Sequence, residues 1–270
     1  MKISDSHGVQ FLQSELLADA ALIHGFSTRL GGVSRGPYAS LNLWHESGDP
    51  TGNVLENRSR LATALNIDPP ELSTARQVHG DQVIDVRESF CDRSFDADGV
   101  VTDQAGVVLA VGTADCVPIL LWDPEHHAIG AVHAGWKGAA LGIARRAIRK
   151  MIDAFGSRPG GIRAAIGPAA GPCCYEVGPY VAGKFAPDYV VRLPGKRPHL
   201  DLWASNRHQL LEAGLTDAHI DMANLCTLCH PDLFFSYRRD NGVTGGMLSV
   251  IGLGEQATLS PLHVARPHVS

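Results

Sequence analysis

The sequence predicts an α+β fold in a single domain spanning residues 1–270. Extended, valine-rich runs and amphipathic stretches follow one another without the regular strand–helix alternation of a doubly wound sheet. No repeat, low-complexity segment or obvious linker divides the chain, although its length alone is compatible with one or two domains. A mixed fold with one core is therefore expected.

The first helix is predicted from Thr51 to Leu65, where Val54 and Leu61 share one face and Asp49-Pro50 precedes the first turn. The extended runs that follow predict strands at 77–86, 99–102, 106–113, 118–122 and 128–133. A turn at 123–125 separates the last two runs, which we therefore expect to pair as a hairpin.

The clearest helical pattern runs from Gly138 to Phe155, with an apolar stripe on one side and basic residues opposite. Gly156 then follows as a C-terminal cap. The remaining predicted elements are a strand at 163–166, a helix at 202–212, and strands at 220–226 and 247–251.

Composition is that of an ordinary globular protein, with 44% hydrophobic and 19% charged residues. A formal net charge of −5 argues against a general nucleic-acid binder, whose affinity depends on neutralising phosphates. No apolar run is long enough for a membrane span, and the N-terminal residues show no export signal. Six cysteines in this context indicate free thiols in a reducing compartment, so we expect a cytoplasmic protein.

Three side chains that can bind a metal stand where strand-like runs meet glycine or a turn. They are His79 in Arg-Gln-Val-His-Gly, Cys116 in Thr-Ala-Asp-Cys, and His133 in His-Ala-Gly-Trp-Lys-Gly. Two imidazoles and one thiolate suit zinc, and three protein ligands leave a fourth position open, as in catalytic zinc sites. Their spacing matches no finger or knuckle, so three unrelated polar residues at strand ends remain an alternative.

Asp115 is the nearest candidate carboxylate, because it directly precedes Cys116. It is a candidate to orient a histidine, to act as a general base, or to cap a turn. Neighbours on one strand point to opposite faces, so Asp115 and Cys116 share a pocket only if the chain bends there.

The loop 133–138 leads into the basic helix. A helix N-terminus presents unpaired backbone N–H groups and Lys137 adds a full charge, so phosphate is a candidate ligand beside the metal. A tight strand-to-helix turn with a solvated lysine explains the same residues equally well.

The segment Cys226-Thr-Leu-Cys229-His230 has the spacing of a c-type haem attachment motif. We do not assign haem, because its attachment requires export. A second zinc site would need two further ligands, and the vicinal pair Cys173-Cys174 is a poor candidate because adjacent cysteines rarely bind one metal together. Structural thiols are the expectation.

Further polar residues are candidates for binding substrate. Three arginines, Arg29, Arg238 and Arg239, lie in Phe-Ser-Thr-Arg-Leu-Gly-Gly and Ser-Tyr-Arg-Arg-Asp, where a planar guanidinium either binds an anion or locks a loop through salt bridges. Asn42 and Glu176 are polar residues flanked by apolar ones and are expected to face inward.

Taken together and in order, these segments resemble the YfiH-type family, also labelled laccase-domain protein, polyphenol oxidase or purine nucleoside phosphorylase. The resemblance rests on the stretches 24–34, 36–43, 56–58, 77–80, 97–99, 113–116, 133–138, 174–178 and 226–240. It implies that His79, Cys116 and His133 bind a zinc cofactor. It also implies a sandwich-like core of mixed β-sheets flanked by helices, similar to the catalytic domain of cytotoxic necrotizing factor.

The chain departs from the expected pattern at two places. Thr244-Gly245-Gly246 stands where the resemblance leads us to expect an arginine after Thr-Gly, and Ala169-Ala170 replaces a cysteine-containing loop of some relatives. Neither departure involves a proposed ligand, but the first is expected to alter a contact at the rim of the site.

The resemblance implies a zinc-dependent purine nucleoside enzyme that phosphorolyses adenosine, inosine and methylthioadenosine and deaminates adenosine. Its partners would be small molecules, a purine nucleoside and phosphate. An open zinc position suits deamination, and phosphate held near Lys137 would serve phosphorolysis. Cys116, His133 and Asp115 are the candidate catalytic residues. The candidate substrate-binding residues are Arg29, Asn42, Lys137, Glu176 and Arg239.

Other functions remain open. One is an amidase that edits peptidoglycan precursors, using either zinc or a metal-independent Cys116 nucleophile with His133 as its base. Copper-dependent polyphenol oxidation is disfavoured because none of the thirteen histidines forms a His-x-His pair. A non-catalytic zinc-binding protein is the last alternative.

Overall fold

The computed structural model describes residues 1–67, 72–87, 95–192 and 194–254. Its strands are β1 (Lys2–Ser6), β2 (Val9–Gln13), β3 (Leu22–Ser27), β4 (Leu72–Ser73), β5 (Val83–Asp85), β6 (Gly99–Thr102), β7 (Val108–Thr113), β8 (Val117–Asp123), β9 (Ala128–Ala134), β10 (Arg163–Ile166), β11 (Val190–Val191), β12 (His199–Leu200), β13 (Ile220–Met222) and β14 (Met247–Leu253). Its α-helices are α1 (Thr51–Ala64), α2 (Trp136–Leu141), α3 (Ile143–Phe155), α4 (Pro179–Ala182) and α5 (Leu202–Glu212).

Two six-stranded mixed sheets form the core of the described residues. Sheet I has the order β1-β2-β3-β14-β7-β4, and sheet II has the order β13-β10-β8-β9-β6-β5. Strands β11 and β12 form a separate pair. After β5 and β6 of sheet II the chain returns to sheet I as β7 and then crosses directly into β8 of sheet II, so residues 114–116 connect the two sheets.

The sheets pack face to face because successive residues of a strand point to opposite sides. Leu109 of β7 and Ile251 of β14 meet Leu120 of β8 and Ile129 of β9 in one apolar layer between the sheets. The alternate residues of sheet II pack against α3 and α5, and those of sheet I pack against α1. The expected sandwich flanked by helices is confirmed.

Most of the predicted elements are confirmed with small shifts at their ends. The helix predicted at 51–65 is α1, the one at 202–212 is α5, and the hairpin is formed by β8 and β9. Gly156 caps α3 with a φ of +76°, and its N–H donates to the Ile152 carbonyl.

Three predictions were wrong in detail. The helix expected from Gly138 to Phe155 is two helices, because Gly142 adopts a φ of +83° and ends α2 before α3 begins. The strand expected at 77–86 is reduced to β5, since residues 77–82 form a loop. The strand expected at 220–226 ends at Met222, and Cys226 forms only an isolated bridge with Ala169.

No helix of the described segments combines the length and the apolar character needed to cross a membrane. The assignment of residues 1–270 to one domain includes 255–270, which lie outside the described part of the chain, so it stays a prediction.

Candidate metal centre and cavity

Three donor side chains from separate segments converge at one end of the sandwich. His79 lies in the loop before β5, Cys116 in the crossover between the sheets, and His133 near the end of β9. Their ligand atoms all lie within 4.8 Å of one another. The two imidazole rings stand nearly perpendicular, with centroids 4.9 Å apart. The structure therefore brings the three predicted ligands together.

Asp98, the residue before β6, organises two of these donors. Its buried carboxylate accepts a hydrogen bond from Nδ1 of His133 at 2.8 Å, which directs Nε2 of that ring toward Cys116 and His79. The same carboxylate accepts the backbone N–H of His79 at 2.9 Å and of Gly80 at 2.6 Å. A carboxylate that fixes the tautomer and orientation of a histidine is the usual second partner of a metal-binding imidazole.

The loop that holds His79 is also fastened to sheet I. The Gln77 side-chain amide donates to the Gly112 carbonyl at 2.8 Å and accepts the Gly112 N–H at 2.7 Å. His79 itself has a φ of +58°. These contacts explain why residues 77–82 form a defined loop in place of the strand that their sequence predicts.

A sharp bend of the backbone at Asp115 places both Asp115 and Cys116 on the wall of one cavity. Asp115 has a φ of +97°, a backbone conformation rare for a residue with a side chain. Its carboxylate holds the bend by accepting the Thr227 hydroxyl at 2.6 Å and the Arg238 backbone N–H at 2.7 Å. The bend that a shared pocket requires is present.

The charges of the donor cluster itself favour a thiolate beside an imidazolium. Burial opposes ionisation of Cys116, but attraction to His133 and hydrogen bonds with His133 and His79 outweigh it and lower the thiol pKa. Burial likewise lowers the pKa of His133, yet the Cys116 thiolate and Asp98 raise it overall. A cation at this centre would take the place of the imidazolium proton.

Two glycines make room for this arrangement. A Cβ at Gly135 would lie 3.0 Å from Cδ2 of His79 and 3.2 Å from Sγ of Cys116. A Cβ at Gly138 would lie 2.6 Å from the carbonyl oxygen of Gly80. A Cβ at Gly138 would therefore displace the backbone, and one at Gly135 would crowd two of the donors, because the loop that bears His79 packs directly on the start of α2.

Gly138→Ala is expected to destabilise the fold by about 1–3 kcal/mol, since the backbone at Gly80 must move to relieve the contact. The same movement pulls the Gly80 N–H away from Asp98. Urea unfolding measures the loss. Gly160→Ala is the matched control, because a Cβ there meets nothing within 4 Å, and it is expected to change stability by no more than about 0.5 kcal/mol. Equal stability of the two variants would contradict this account of Gly138.

A cavity of about 490 Å³ opens beside the three donors, a volume within the range of small-molecule sites. It has a mixed wall of aromatic, aliphatic, cationic and acidic side chains. The lining residues are Leu43, Trp44, Glu46, Arg58, Thr74, Ala75, Arg76, Gln77, His79, Gly112, Thr113, Ala114, Asp115, Cys116, His133, Tyr175, Tyr237, Arg238, Met247 and Leu248. His133 is buried, Cys116 is half-buried and His79 is exposed, so the donor group is open toward the cavity.

The donor set fits a zinc ion. Two imidazoles and one thiolate are borderline-soft ligands, and Asp98 supplies the supporting carboxylate. Within the described residues this cluster contains three donors, so a tetrahedral ion held by them would have one further position for water or substrate.

Comparison with known proteins places the chain in a family. The family model described as multi-copper polyphenol oxidoreductase laccase matches residues 23–254. The chain belongs to this YfiH-type, laccase-domain family. A purine nucleoside phosphorylase of Deinococcus radiodurans is 46% identical over 237 residues, covering 86% of this chain and 90% of that protein.

Solved structures of the family share the fold. The crystal structure of YlmD from Geobacillus stearothermophilus matches with a TM-score of 0.86 at 38% identity, covering 93% of this chain and 98% of that one. That of the Bacillus licheniformis hypothetical protein YfiH gives 0.85 at 36% identity with the same coverage. The predicted family and its α+β sandwich are confirmed.

Within this laccase-domain fold, the five candidate substrate-binding residues lie off the cavity wall that the described residues form. Arg29 donates to the carbonyls of Ala39 and Pro231, and its guanidinium stacks on Phe235. Arg239 pairs with Asp240. Both arginines therefore lock loops, which is the alternative that the sequence left open.

The other three candidates are also engaged elsewhere. Asn42 is buried and bonds the Ser47 hydroxyl and the Gly246 N–H. Glu176 pairs at 3.6 Å with Arg197. Lys137 is exposed, with its Nζ 5.8 Å from the centre of the Trp136 ring. The inward orientation expected of Asn42 is present, but it serves a loop, and the one expected of Glu176 is wrong, since its side chain is 45% exposed.

Sequence reasoning missed Asp98 and most of the cavity wall. Asp98 lies in the Ala-Asp-Gly stretch that contributes to the family resemblance, and a carboxylate just before a buried strand is the signal that could have identified it. Arg58 lies on α1 and Arg76 lies just before the His79 loop. At the rim, Trp44 packs on Gly246, where a Cβ would lie 2.9 Å from that of Trp44. The departure at residues 244–246 thus coincides with an aromatic contact at the cavity.

Proposed function

We propose that this chain is a zinc-dependent purine nucleoside phosphorylase that also deaminates adenosine. The observation behind the proposal is the convergence of His79, Cys116 and His133 on a cavity with cationic and aromatic walls. Relatives named purine nucleoside phosphorylase, including YlmD proteins of Geobacillus stearothermophilus and Bacillus subtilis, support this reaction class.

Zinc is the proposed cofactor, held by Nε2 of His133, an imidazole nitrogen of His79 and Sγ of Cys116. When bound, the ion would supply a Lewis acid facing the cavity. Copper oxidase chemistry is not supported, because it needs several copper centres, and only one of the metal-capable clusters among the described residues contains histidine. Free thiols suit a reducing compartment, for which the cytoplasm is our proposal.

The cavity wall suggests how a nucleoside and phosphate would be held. Trp44, Tyr175 and Tyr237 offer aromatic surface to a purine base. Arg238 places its guanidinium over the Tyr175 ring at 5.2 Å and donates one N–H to the Glu176 carbonyl at 2.7 Å. A guanidinium has five N–H donors, so Arg238 retains others for a phosphate. Phosphate is therefore placed beside the arginines of the cavity wall and not beside Lys137, which was the candidate from sequence.

Asp115 is proposed to position Cys116 and Arg238 relative to each other. Its carboxylate ties the Cys116 bend to the Arg238 backbone, so it sets the distance between the metal ligand and the arginine. In phosphorolysis the bond from the ribose to the purine breaks and a bond from the ribose to phosphate forms. Both partners must therefore lie side by side in one cavity, and a volume of about 490 Å³ is compatible with this.

Product analysis tests the proposal. Adenosine incubated with the purified protein and phosphate is expected to give adenine and ribose 1-phosphate, and without phosphate it is expected to give inosine. Both conversions are expected to stop after chelation and to return with added zinc. Adenosine that remains unchanged in every incubation would overturn the proposal.

Arg238→Ala is expected to raise the KM for phosphate about 10- to 100-fold, because one charge-assisted hydrogen bond contributes about 1.5–3 kcal/mol. Initial rates at varied phosphate and saturating adenosine measure it. Arg158→Ala is the matched control, since Arg158 is an exposed arginine paired with Glu125 outside the cavity. Equal phosphate KM values for the two variants would remove Arg238 from the phosphate site.

A metal-independent cysteine hydrolase is a second candidate, supported by one observation. The Cys116 thiolate contacts the His133 ring, and the Asp98 carboxylate orients that ring from its other side. This is the arrangement of a cysteine nucleophile, its base and an orienting carboxylate. This candidate predicts amide hydrolysis that survives chelation and fails on alkylation of Cys116. Loss of activity on chelation would exclude it.

A further inference from the structure

Four cysteines meet in a second cluster that the proposed reaction does not use. Cys173 and Cys174 follow β10, and Cys226 and Cys229 follow β13. Strands β10 and β13 are parallel neighbours, so the segments that leave their carboxyl ends emerge at the same edge of sheet II. A bridge between Ala169 and Cys226 holds the two segments together.

The sulfur positions match a tetrahedral metal site. All four Sγ atoms lie within 4.8 Å of one another. Sγ of Cys229 lies 3.6 Å from that of Cys173 and 3.4 Å from that of Cys174. Zinc–sulfur bonds of about 2.3 Å in a tetrahedron separate the sulfurs by about 3.8 Å. A disulfide would require about 2.05 Å, so the observed spacing is much closer to shared coordination.

The backbone around Cys226 is arranged for a thiolate. Its buried Sγ accepts the Gly171 N–H at 3.3 Å. Backbone N–H groups of Gly171 and Cys229 both donate to this sulfur. Cys226 is the first cysteine of the Cys-x-x-Cys turn and accepts a backbone N–H from its last residue. These N–H groups stabilise a thiolate, which is the form that binds a cation. Ionising the other three sulfurs so close to it requires a positive ion among them.

We propose that Cys173, Cys174, Cys226 and Cys229 bind a second zinc ion. Four thiolates close the coordination shell, so this ion is structural and takes no substrate. The sequence expectation that the vicinal cysteines would not contribute is inconsistent with the geometry, because both of their sulfurs face Cys229. The inference does not depend on the proposed reaction.

The second ion would brace the wall of the cavity. Tyr175, next to Cys174, lines the cavity, and Thr227, next to Cys226, donates its hydroxyl to Asp115. Fixing both cysteine segments on one ion therefore fixes the aromatic wall and the carboxylate that holds the Cys116 bend.

Metal analysis of protein purified under reducing conditions without added zinc tests the proposal. Wild type is expected to contain two equivalents of zinc per chain, and Cys229→Ser and Cys116→Ala one each. The double variant is expected to contain none. Cys229 is exposed, so serine is tolerated there more readily than at buried Cys226. If only the first centre failed to bind zinc, wild type would hold one equivalent, lost in Cys229→Ser and kept in Cys116→Ala.

Cobalt substitution gives an independent reading of the ligands. In the Cys116→Ala variant, Co²⁺ is expected to show the intense sulfur-to-metal absorption of a four-thiolate site, which weakens in the Cys116→Ala, Cys173→Ser double variant. An unchanged zinc content in Cys229→Ser would overturn the proposal. A disulfide between Cys229 and either vicinal cysteine would also overturn it, if peptide masses show that bond in protein purified under reducing conditions.

Discussion

Replacing Cys116 with alanine is expected to reduce kcat/KM on the order of 10³-fold or more, about 4 kcal/mol of transition-state stabilisation. The variant loses the proposed thiolate ligand of the metal, which also balances the charge of His133. Initial rates with adenosine and phosphate measure the effect, and zinc content shows whether the ion is lost with it.

The control for this variant is Cys229→Ser, which removes a sulfur from the four-cysteine cluster. It is expected to leave the first centre with its zinc. A Cys116→Ala variant with wild-type turnover would contradict the proposed centre and would favour a non-catalytic binding protein or chemistry elsewhere in the chain.

Asp98→Asn is expected to lower zinc affinity at the first centre about 10- to 100-fold, the usual effect of removing the partner of a metal-binding histidine. The substitution also costs about 2–4 kcal/mol of folding free energy, because one oxygen becomes an NH₂ group facing N–H donors. If the remaining oxygen keeps His133 and the His79 N–H, the new amide faces the N–H of Val78 and Gly80.

Chelator competition in the Cys229→Ser background measures affinity at this centre alone, and urea unfolding measures stability. Asp153→Asn is the matched control, since it breaks only the exposed pair of Asp153 with Arg149 and is expected to change stability by no more than about 0.5 kcal/mol. Wild-type zinc affinity in Asp98→Asn would show that the carboxylate does not set the geometry of His133.

Local pattern was enough for most of the secondary structure. The hairpin of β8 and β9 is legible because two continuous apolar runs flank a turn at residues 123–125. The break at Gly142 was missed because the apolar stripe continues in phase across it, while the interruption depends on a single left-handed residue.

The candidate site was only partly legible. Residue type suggested a shared metal centre, but its specific assignment rested on family resemblance, because the three donors lie far apart in the chain. The substrate-binding candidates were chosen from glycine-rich or apolar surroundings, which also describe the loop-locking roles of Arg29 and Asn42. Asp98 and the cysteine cluster depend on which strands are neighbours, and one sequence does not specify that.

The crossover at residues 114–116 gives the metal centre a mechanical role. Cys116 stands between the layers, His133 belongs to sheet II, and the His79 loop is fastened to sheet I through Gln77. An ion shared by these donors would join the two layers at one end. Because it would bind only when both layers are in register, its binding free energy would add to thermal stability. Core substitutions that shift one sheet relative to the other would then lower the affinity for the ion without touching its ligands.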